Sequence, residues 1–390
     1  TQGYSSAASD VYKRQMKILH VSDSFDGGGA EAVFRDTIKV SESLGNTNYI
    51  IYSDEKTDPI SYIYSFKNYK RIKKILNNKP DIIHLHSYYH YLSPSVLHAI
   101  RKYKEKNACK VIFTAHDYHF ICPNSGFQYF KNNQRYNFDA FAGSLKLPNG
   151  GLYDHRGIAY SMLKYVQHKL AYDVMRLDDV IDIIISPSAF LKQVFENYGV
   201  KKKINVIRNP VSFPASDERS TILESNESNK TVRLVYAGRL SEEKGILEFL
   251  SVLNERTTIE VIFDIFGDGS LRQLLESVPV RKNLIVNFKG AVTREKLVHN
   301  LKKYDIFVLP SIWYENAPIS IIEAAAAGLP VICPGYGGLR EMAELTKRYG
   351  FFEYNSKSEL DTLLLESKRF SGQNYLLDKD EFSYENYKLK

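Results

Sequence analysis

The stretch MKILHVSDSFDGGGAEAVFRDTIKVSESLGNTNYIIYS, residues 16–53, decides the fold. KILHVSD (17–23) and NYIIYS (48–53) are short apolar runs bounded by turn residues, the pattern of strands. Between them, EAVFRDTIKVSESLG (31–45) carries a helical pattern. The same alternation continues outward. DIIHLHS (81–87), KVIFTAHD (110–117), DIIISPS (182–188) and INVIRNP (204–210) read as further strands, with SPSVLHAIRKYKEK (93–106) among the intervening helices. Such a βαβα rhythm implies a parallel sheet with helices on both faces. The second half repeats it. VRLVYAGRL (232–240), IEVIFDIFG (259–267), NLIVNFKG (283–290), DIFVLPS (305–311) and LPVICPG (329–335) read as strands, separated by LEFLSVLNE, SLRQLLESV, REKLVHNLKKY and ISIIEAAAAG as helices. The expected class is α/β, with two doubly wound, Rossmann-like domains facing across a cleft, where ligands bind at the carboxyl ends of the strands.

Residues 16–210 form the expected first domain and 231–375 the second, with the polar, aperiodic VSFPASDERSTILESNESNK (211–230) as linker. Residues 376–390 read as the start of a C-terminal helix returning to the first domain, cut short at the end of the chain. TQGYSSAASDVYKRQ (1–15) has neither apolar periodicity nor the apolar core of a signal peptide; it reads as a non-native extension before a start at Met16. The aromatic stretch 118–170 is long for a connection and reads as a lid or acceptor-facing insertion, followed by an amphipathic helix from about 157 to 178.

At 44% apolar and 25% charged, the 390 residues have globular composition. Apolar runs stay under ten residues, whereas a bilayer-spanning helix needs about 20. Cys109, Cys122 and Cys333 are few and scattered, which argues against a disulfide framework or zinc knuckle and fits a reducing cytosol. The net charge of +7 divides into +10 over residues 1–210 and −3 over the rest. The basic half suits nucleic acid, anionic lipid or a phosphorylated substrate, or is simply a basic surface.

Four constellations carry candidate chemistry. Gly28 and Gly29, in GGGAE, follow a strand and open a helix, where backbone can approach an anion closely; a tight turn is the plainer reading. Arg239 and Lys244, in AGRLSEEKG, follow a strand end, with Ser241 placed to cap a helix from Glu242; two cations there suit a departing diphosphate. Glu315 and Glu323 flank the helix start in WYENAPISIIEAAAAGLP. Pro318 suits the first helical turn, and the amides of Ile319 and Ser320 could hold phosphate oxygens. Glu323, set among apolar residues, needs a partner, for which sugar or ribose hydroxyls are suited. His116, in TAHD, ends a strand and could donate to a substrate hydroxyl or phosphate. His84 and His86 alternate on one strand face, but no carboxylate or third histidine stands at ligand spacing, so no metal is expected.

Taken together, these residues resemble the retaining glycosyltransferases of family four, of GT-B fold. The resemblance rests on GGGAE, TAHDYHFICP, ISPSAFLKQVFENYG, YAGRLSEEKG, IFGDGSLR, FKGAV and, most specifically, FVLPSIWYENAPISIIEAAAAGLPVICPGYGG (307–338). It implies a UDP- or GDP-sugar donor bound by the second domain, an acceptor on the first, and neither a metal, another cofactor nor a nucleic-acid partner. Arg239 and Lys244 would grip the diphosphate, Glu323 the ribose, and Glu315 the transferred sugar, with the backbone of Asn316, Ala317, Pro318, Ile319 and Ser320 nearby. Gly28 and Gly29 would sit against phosphate or sugar, the backbone from Gly290 to Val292 would read the base, and His116 would bind the sugar near the reaction centre. TAHDYHFICP resembles a subgroup that makes bacterial capsule, O-antigen or exopolysaccharide. The acceptor is then a glycan or a polyprenyl-phosphate-linked glycan, and the place of action the cytoplasm or the inner face of the membrane. KNYKRIKKILNNK (67–79), with six Lys and Arg around Ile72, Ile75 and Leu76, reads either as an interfacial helix for an anionic membrane or as an ordinary surface helix. A nucleotide-sugar 2-epimerase and a non-catalytic nucleotide-sugar binding protein share the architecture. A dinucleotide oxidoreductase lacks support, since GxGxxG is missing.

Overall fold

The computed structural model describes residues 15–53, 55, 57–211, 231–355, 360–371, 377–378 and 380–390. Residues 1–14 of the expected extension and 212–230 of the expected linker lie outside the described residues. The chain divides into two compact units. The first runs to Pro187 and adds Lys192–Ile207 and Tyr387–Lys390; the second is Ser188–Leu191 with Arg208–Asn386.

The first unit is built on strands β1 (Lys17–Val21), β2 (Thr47–Ile51), β3 (Ile82–Leu85), β4 (Lys110–Thr114), β7 (Ile183–Ser186) and β8 (Lys203–Val206). They form one parallel sheet in the order β2-β1-β3-β4-β7-β8. Leu19, Val21, Ile83, Leu85, Val111 and Ile184 are fully buried, because a parallel sheet is covered on both faces. The helix Gly29–Ser43 returns the chain from β1 to β2 and buries Val33, Phe34, Ile38 and Val40. The helix Ser95–Lys104 buries Val96, Leu97, Ala99 and Ile100 between β3 and β4.

The 118–170 stretch, read as a lid or acceptor-facing insertion, is packed into the unit. It folds an antiparallel hairpin, β5 (Gln128–Lys131) with β6 (Gln134–Asn137), and packs several of its aromatic residues inward. Tyr118, Phe127 and Phe138 are buried, and Phe127 lies 4.9 Å from Tyr118 and 5.6 Å from Phe138 between ring centroids. The helix read as 157–178 is α-helical only over Ile158–His168, loosens to a π-turn over Lys169–Val174, and stops at Arg176 with φ of +48°. The basic stretch 67–79 is a helix over Phe66–Leu76, but Ile72 and Leu76 are spent inside the unit at 0% and 2% exposure. Phe66, at 72% exposure, stays on the solvent side with Lys67, Lys70, Arg71, Lys73 and Lys74.

The second unit carries β9 (Val232–Ala237), β10 (Val261–Phe266), β11 (Leu284–Gly290), β12 (Ile306–Val308), β13 (Val331–Pro334) and β14 (Tyr349–Phe352), parallel in the order β11-β10-β9-β12-β13-β14. Counted along this unit, the order is 3-2-1-4-5-6, the Rossmann arrangement. Its core joins Leu234, Phe263, Phe307 and Ile332 from the sheet to Phe249, Leu250, Ile321 and Leu339 from the helices. At the C-terminus, the helix Tyr384–Leu389 carries Tyr387, whose hydroxyl lies 2.9 Å from Thr37 Oγ1. All three cysteines are free thiols. No helix among the described residues is long and apolar enough to cross a membrane.

Candidate functional site

In each sheet the chain runs outward on one side of its first strand and then returns to the other side. The crevice at that reversal, outside the strands' carboxyl ends, is where open α/β sheets bind ligands. In the second unit it lies between β9 and β12. Both of that unit's motif loops leave these two strands: residues 238–245 after β9, and 309–318 after β12.

These loops hold the densest charge arrangement of the site. Lys244 Nζ lies 2.6 Å from Glu315 Oε1, and the Ser311 hydroxyl donates to the same oxygen at 2.7 Å. Glu315 is only 7% exposed. Burial by itself would raise its pKa, but the Lys244 ammonium and the Ser311 hydrogen bond help outweigh burial and hold the carboxyl below the usual glutamate range. Lys244 also lies 5.2 Å from the centre of the Trp313 ring. An ammonium has three N–H donors, and Glu315 takes one, so Lys244 can still address a second anion. Arg239 is exposed, and its side chain makes no hydrogen bond or ion pair among the described residues.

Two glycines fix the loops. Gly245 has φ of +65°, and a Cβ there would run into the Pro310 carbonyl oxygen, so the Lys244 turn can lie directly on the β12 loop only with glycine. A Cβ on Gly338 would strike the carbonyl oxygens of Asn316 and Glu315, and the Gly338 amide donates to the Glu315 carbonyl at 2.9 Å. The expected Ser241 cap is not made. Residues Glu242–Lys244 form a 3-10 turn, the Ser241 hydroxyl donates to Glu243 Oε1 at 2.6 Å, and the α-helix begins only at Ile246.

The helix after the second loop runs Ile319–Ala326, with Pro318 at its N-cap instead of in its first turn. Asn316, Ala317, Pro318, Ile319 and Ser320 are all half-buried at its head, and the first amides of a helix have no partner within it. Glu323 is buried at 7% exposure, and its partner is a residue the sequence reading missed: Arg294 Nε donates to Glu323 Oε1. The buried charge is therefore met inside the protein, so its burial does not by itself call for a ligand. A signal for Arg294 did exist. It is the first residue of the helix Arg294–Leu301, where the helix dipole disfavours a cation, so an acidic partner was to be sought. Gly290 ends β11 at φ of +72°, and Val292 is exposed in the loop that follows.

The reversal in the first sheet lies between β1 and β3. After β1, Gly28 is the N-cap and Gly29 the first residue of the next helix, and a Cβ on Gly29 would meet nothing within 4 Å. Internal packing thus does not require glycine there. After β3 and β4 stand histidines. His86 Nδ1 lies 3.0 Å from His116 Nε2, with the rings stacked at 5.3 Å. Burial holds His116 down to about 4 and His86 well below its ordinary value, so both imidazoles are neutral at neutral pH. Burial has the opposite effect on the neighbouring carboxyl, Asp117, which is pushed up to about 6 although Tyr89 and the His119 amide donate to it. The structure also brings in a third histidine that the spacing along one strand could not show. His20 on β1 is in register with His84 on β3, the two rings 5.9 Å apart.

Comparison with known proteins follows this division. Residues 27–213 match the family described as Glycosyltransferase Family 4, and residues 218–366 match Glycosyl transferases group 1. An uncharacterized 41.2 kDa protein in the cps region of Klebsiella pneumoniae is 25% identical over 275 residues, 70% of this chain and 64% of that protein. The Escherichia coli UDP-Gal:alpha-D-GlcNAc-diphosphoundecaprenol alpha-1,3-galactosyltransferase is 30% identical over 158 residues, 37% of this chain and 39% of that enzyme. The chain thus spans less than two thirds of the length of either relative. Among solved structures, Anabaena Alr3699/HepE in complex with UDP-glucose superposes with a TM-score of 0.62 at 14% identity, over 96% of this chain and 98% of that one. The fold is accordingly the GT-B type.

Proposed function

This chain belongs to glycosyltransferase family four, and from that premise we propose that it moves a hexosyl group from a nucleoside-diphosphate sugar to a hydroxyl of a glycan or lipid-linked acceptor. The observation that carries this reading is the Lys244–Glu315 pair at the reversal of the second sheet. It sets a cation for the diphosphate beside a carboxylate for the sugar hydroxyls, both pinned by loops that tolerate only glycine at Gly245 and Gly338. The relative that acts on a diphosphoundecaprenol-linked sugar and the relative from a cps region support a lipid-linked acceptor and a role in capsule, O-antigen or exopolysaccharide synthesis.

In this reading the donor's diphosphate lies against Arg239, Lys244 and the head of the helix Ile319–Ala326. Glu315 accepts from the sugar hydroxyls, and Glu323, held by Arg294, accepts from the ribose. The backbone from Gly290 to Val292 reads a uracil or guanine base. Gly28 and Gly29 leave room for phosphate or sugar, and His116, neutral and fixed by His86, addresses the sugar. As the glycosidic bond to the leaving diphosphate breaks, negative charge grows on the β-phosphate, where fixed cations and amides stabilise it most. The acceptor hydroxyl attacks from the leaving-group side and gives its proton to the departing phosphate oxygen, which retains the anomeric configuration. The test is to incubate the protein with nucleotide sugars, with and without polyprenyl-diphosphate-linked glycans, and to follow nucleotide release and the product's anomeric configuration. Acceptor-dependent release of a nucleoside diphosphate with an unchanged anomer supports the reading. Interconversion of the sugar without acceptor, or an inverted product, refutes it.

A further inference from the structure

Three histidines of the first unit lie together where β1 and β3 run side by side. His84 is on β3, His86 is the residue just beyond its end, and His20 on β1 is in register with His84. They approach through tertiary contact, and one ring nitrogen of each lies within 4.8 Å of those of the other two. They are 1%, 7% and 2% exposed for His20, His84 and His86. Phe34 covers them from the helix Gly29–Ser43, at 6.5 Å from His20 and 5.1 Å from His86.

The hydrogen bonds around them have the form of a metal-site periphery. Each ring is held through one nitrogen only. His20 Nε2 lies 3.0 Å from Asn48 Oδ1, His84 Nε2 lies 2.8 Å from Thr114 Oγ1, and His86 Nδ1 lies 3.0 Å from His116 Nε2. On the other side of the rings, His20 Nδ1 and His86 Nε2 are buried with no hydrogen-bond partner. With Asn48 Oδ1 accepting from His20 Nε2–H, His20 Nδ1 presents a lone pair. Unpartnered buried nitrogens are costly in a purely structural cluster. Outer-side hydrogen bonds of this kind are what orient metal-bound imidazoles.

We propose that His20, His84 and His86 form a transition-metal site, in which one nitrogen from each ring binds a borderline divalent ion such as Zn²⁺ and a fourth position is left to solvent or an anion. An all-imidazole set with no oxygen ligand selects Zn²⁺, Co²⁺, Ni²⁺ or Cu²⁺ over Mg²⁺ or Ca²⁺. Zn–N bonds of about 2.0–2.1 Å place three ligand nitrogens well within the 4.8 Å that bounds these three. The ion would tie β1 to β3 beneath the glycine turn. It would also orient His116 through His86.

The test uses the full chain without a polyhistidine tag, stripped with chelator, dialysed against Zn²⁺ and desalted before elemental analysis. About one Zn²⁺ per chain is expected, with bound metal falling at least about tenfold in His20→Gln and His84→Asn. Thr114→Val keeps all three ligands and removes only the partner of His84, and it should weaken Zn²⁺ binding by about 10–100-fold. Circular dichroism of each variant checks that it folds. Should a ligand variant fail to fold, Co²⁺ titration of the wild type decides, since a four-coordinate site with three imidazoles gives intense visible absorption. Wild-type protein that retains no Zn²⁺, retains it equally in folded ligand variants, or leaves Co²⁺ with its pale aqueous spectrum overturns the proposal.

Discussion

At the reversal of the first sheet stand buried histidines held neutral, and at that of the second a buried carboxylate is paired with a lysine. His86 and His116 are held neutral by desolvation. Lys244 with Glu315, and Arg294 with Glu323, stand as opposite charges within hydrogen-bond reach. Both sheets are parallel, six-stranded and doubly wound. The difference lies in the side chains that the loops and the helices after them carry, which is why function has to be argued from the site and not from the fold. Fixed cations suit a ligand that arrives and leaves as a diphosphate. Neutral imidazoles, which donate and accept without a charge penalty, suit sugar hydroxyls or a metal.

The hardest blow to this contrast is removal of the cation. Lys244→Ala should lower turnover by about 10²–10³, as loss of one charge-stabilising donor does elsewhere. It should also destabilise the second unit by about 3–5 kcal/mol, because Glu315 is left buried without its partner. Steady-state kinetics and urea unfolding read the two effects, and near-normal turnover in folded protein would reject the role given to Lys244. Next comes Gly338→Ala, whose methyl group meets backbone carbonyls and not flexible side chains. A loss of about 1–3 kcal/mol is expected, together with weaker nucleotide binding as the Glu315 loop shifts.

Acid and base should separate the two regions. Glu315, held below its ordinary value, contributes stability that is complete above about pH 4.3 and is lost as pH falls through its folded pKa. Asp117, pushed up to about 6, contributes stability that is complete below about pH 3.9 and is lost as pH rises through 6. In urea midpoints measured across pH, Glu315→Gln should flatten the acid limb and Asp117→Asn the slope between about pH 4 and 6. Unchanged slopes in both variants would deny the contrast. The smallest effect is expected at Gly29→Ala. With open space around it, the substitution should leave stability unchanged or raise it by about 0.4–1 kcal/mol. A fall in donor or acceptor affinity without a fall in Tm would show that the open space is kept for a ligand.

Much of this was legible in the sequence because it is local. The strand runs and the motif loops sit where the apolar pattern and the turn residues put them, and Lys244 and Glu315 were both marked, though their contact was not. What escaped was set by tertiary register. Arg294 meets Glu323 across 29 residues, and only its awkward place at a helix start gave notice. His20 meets His84 because β1 and β3 are neighbours in register, which spacing within one strand cannot show. The hairpin Gln128–Asn137 was hidden because its runs of four residues carry Gln, Lys, Arg and Asn beside the aromatics that pack it. β14, reading YGFF, was too short to stand out.

The most direct measurement is a thermal-shift panel with UDP, GDP, ADP, CMP and their sugar conjugates on wild type, Glu323→Ala and Lys244→Ala. At about 100 times its Kd, a bound nucleotide stabilises a protein by roughly 2.7 kcal/mol, a shift of a few degrees in a chain of this size. The account predicts a shift with one nucleoside diphosphate and its sugar conjugates. Loss of hydrogen bonds to a charged carboxylate should raise Kd by about 10–100-fold in Glu323→Ala, with a comparable loss in Lys244→Ala. Folded wild-type protein that shifts with none of them, or variants that shift as the wild type does, would contradict the placement of the donor on the second unit.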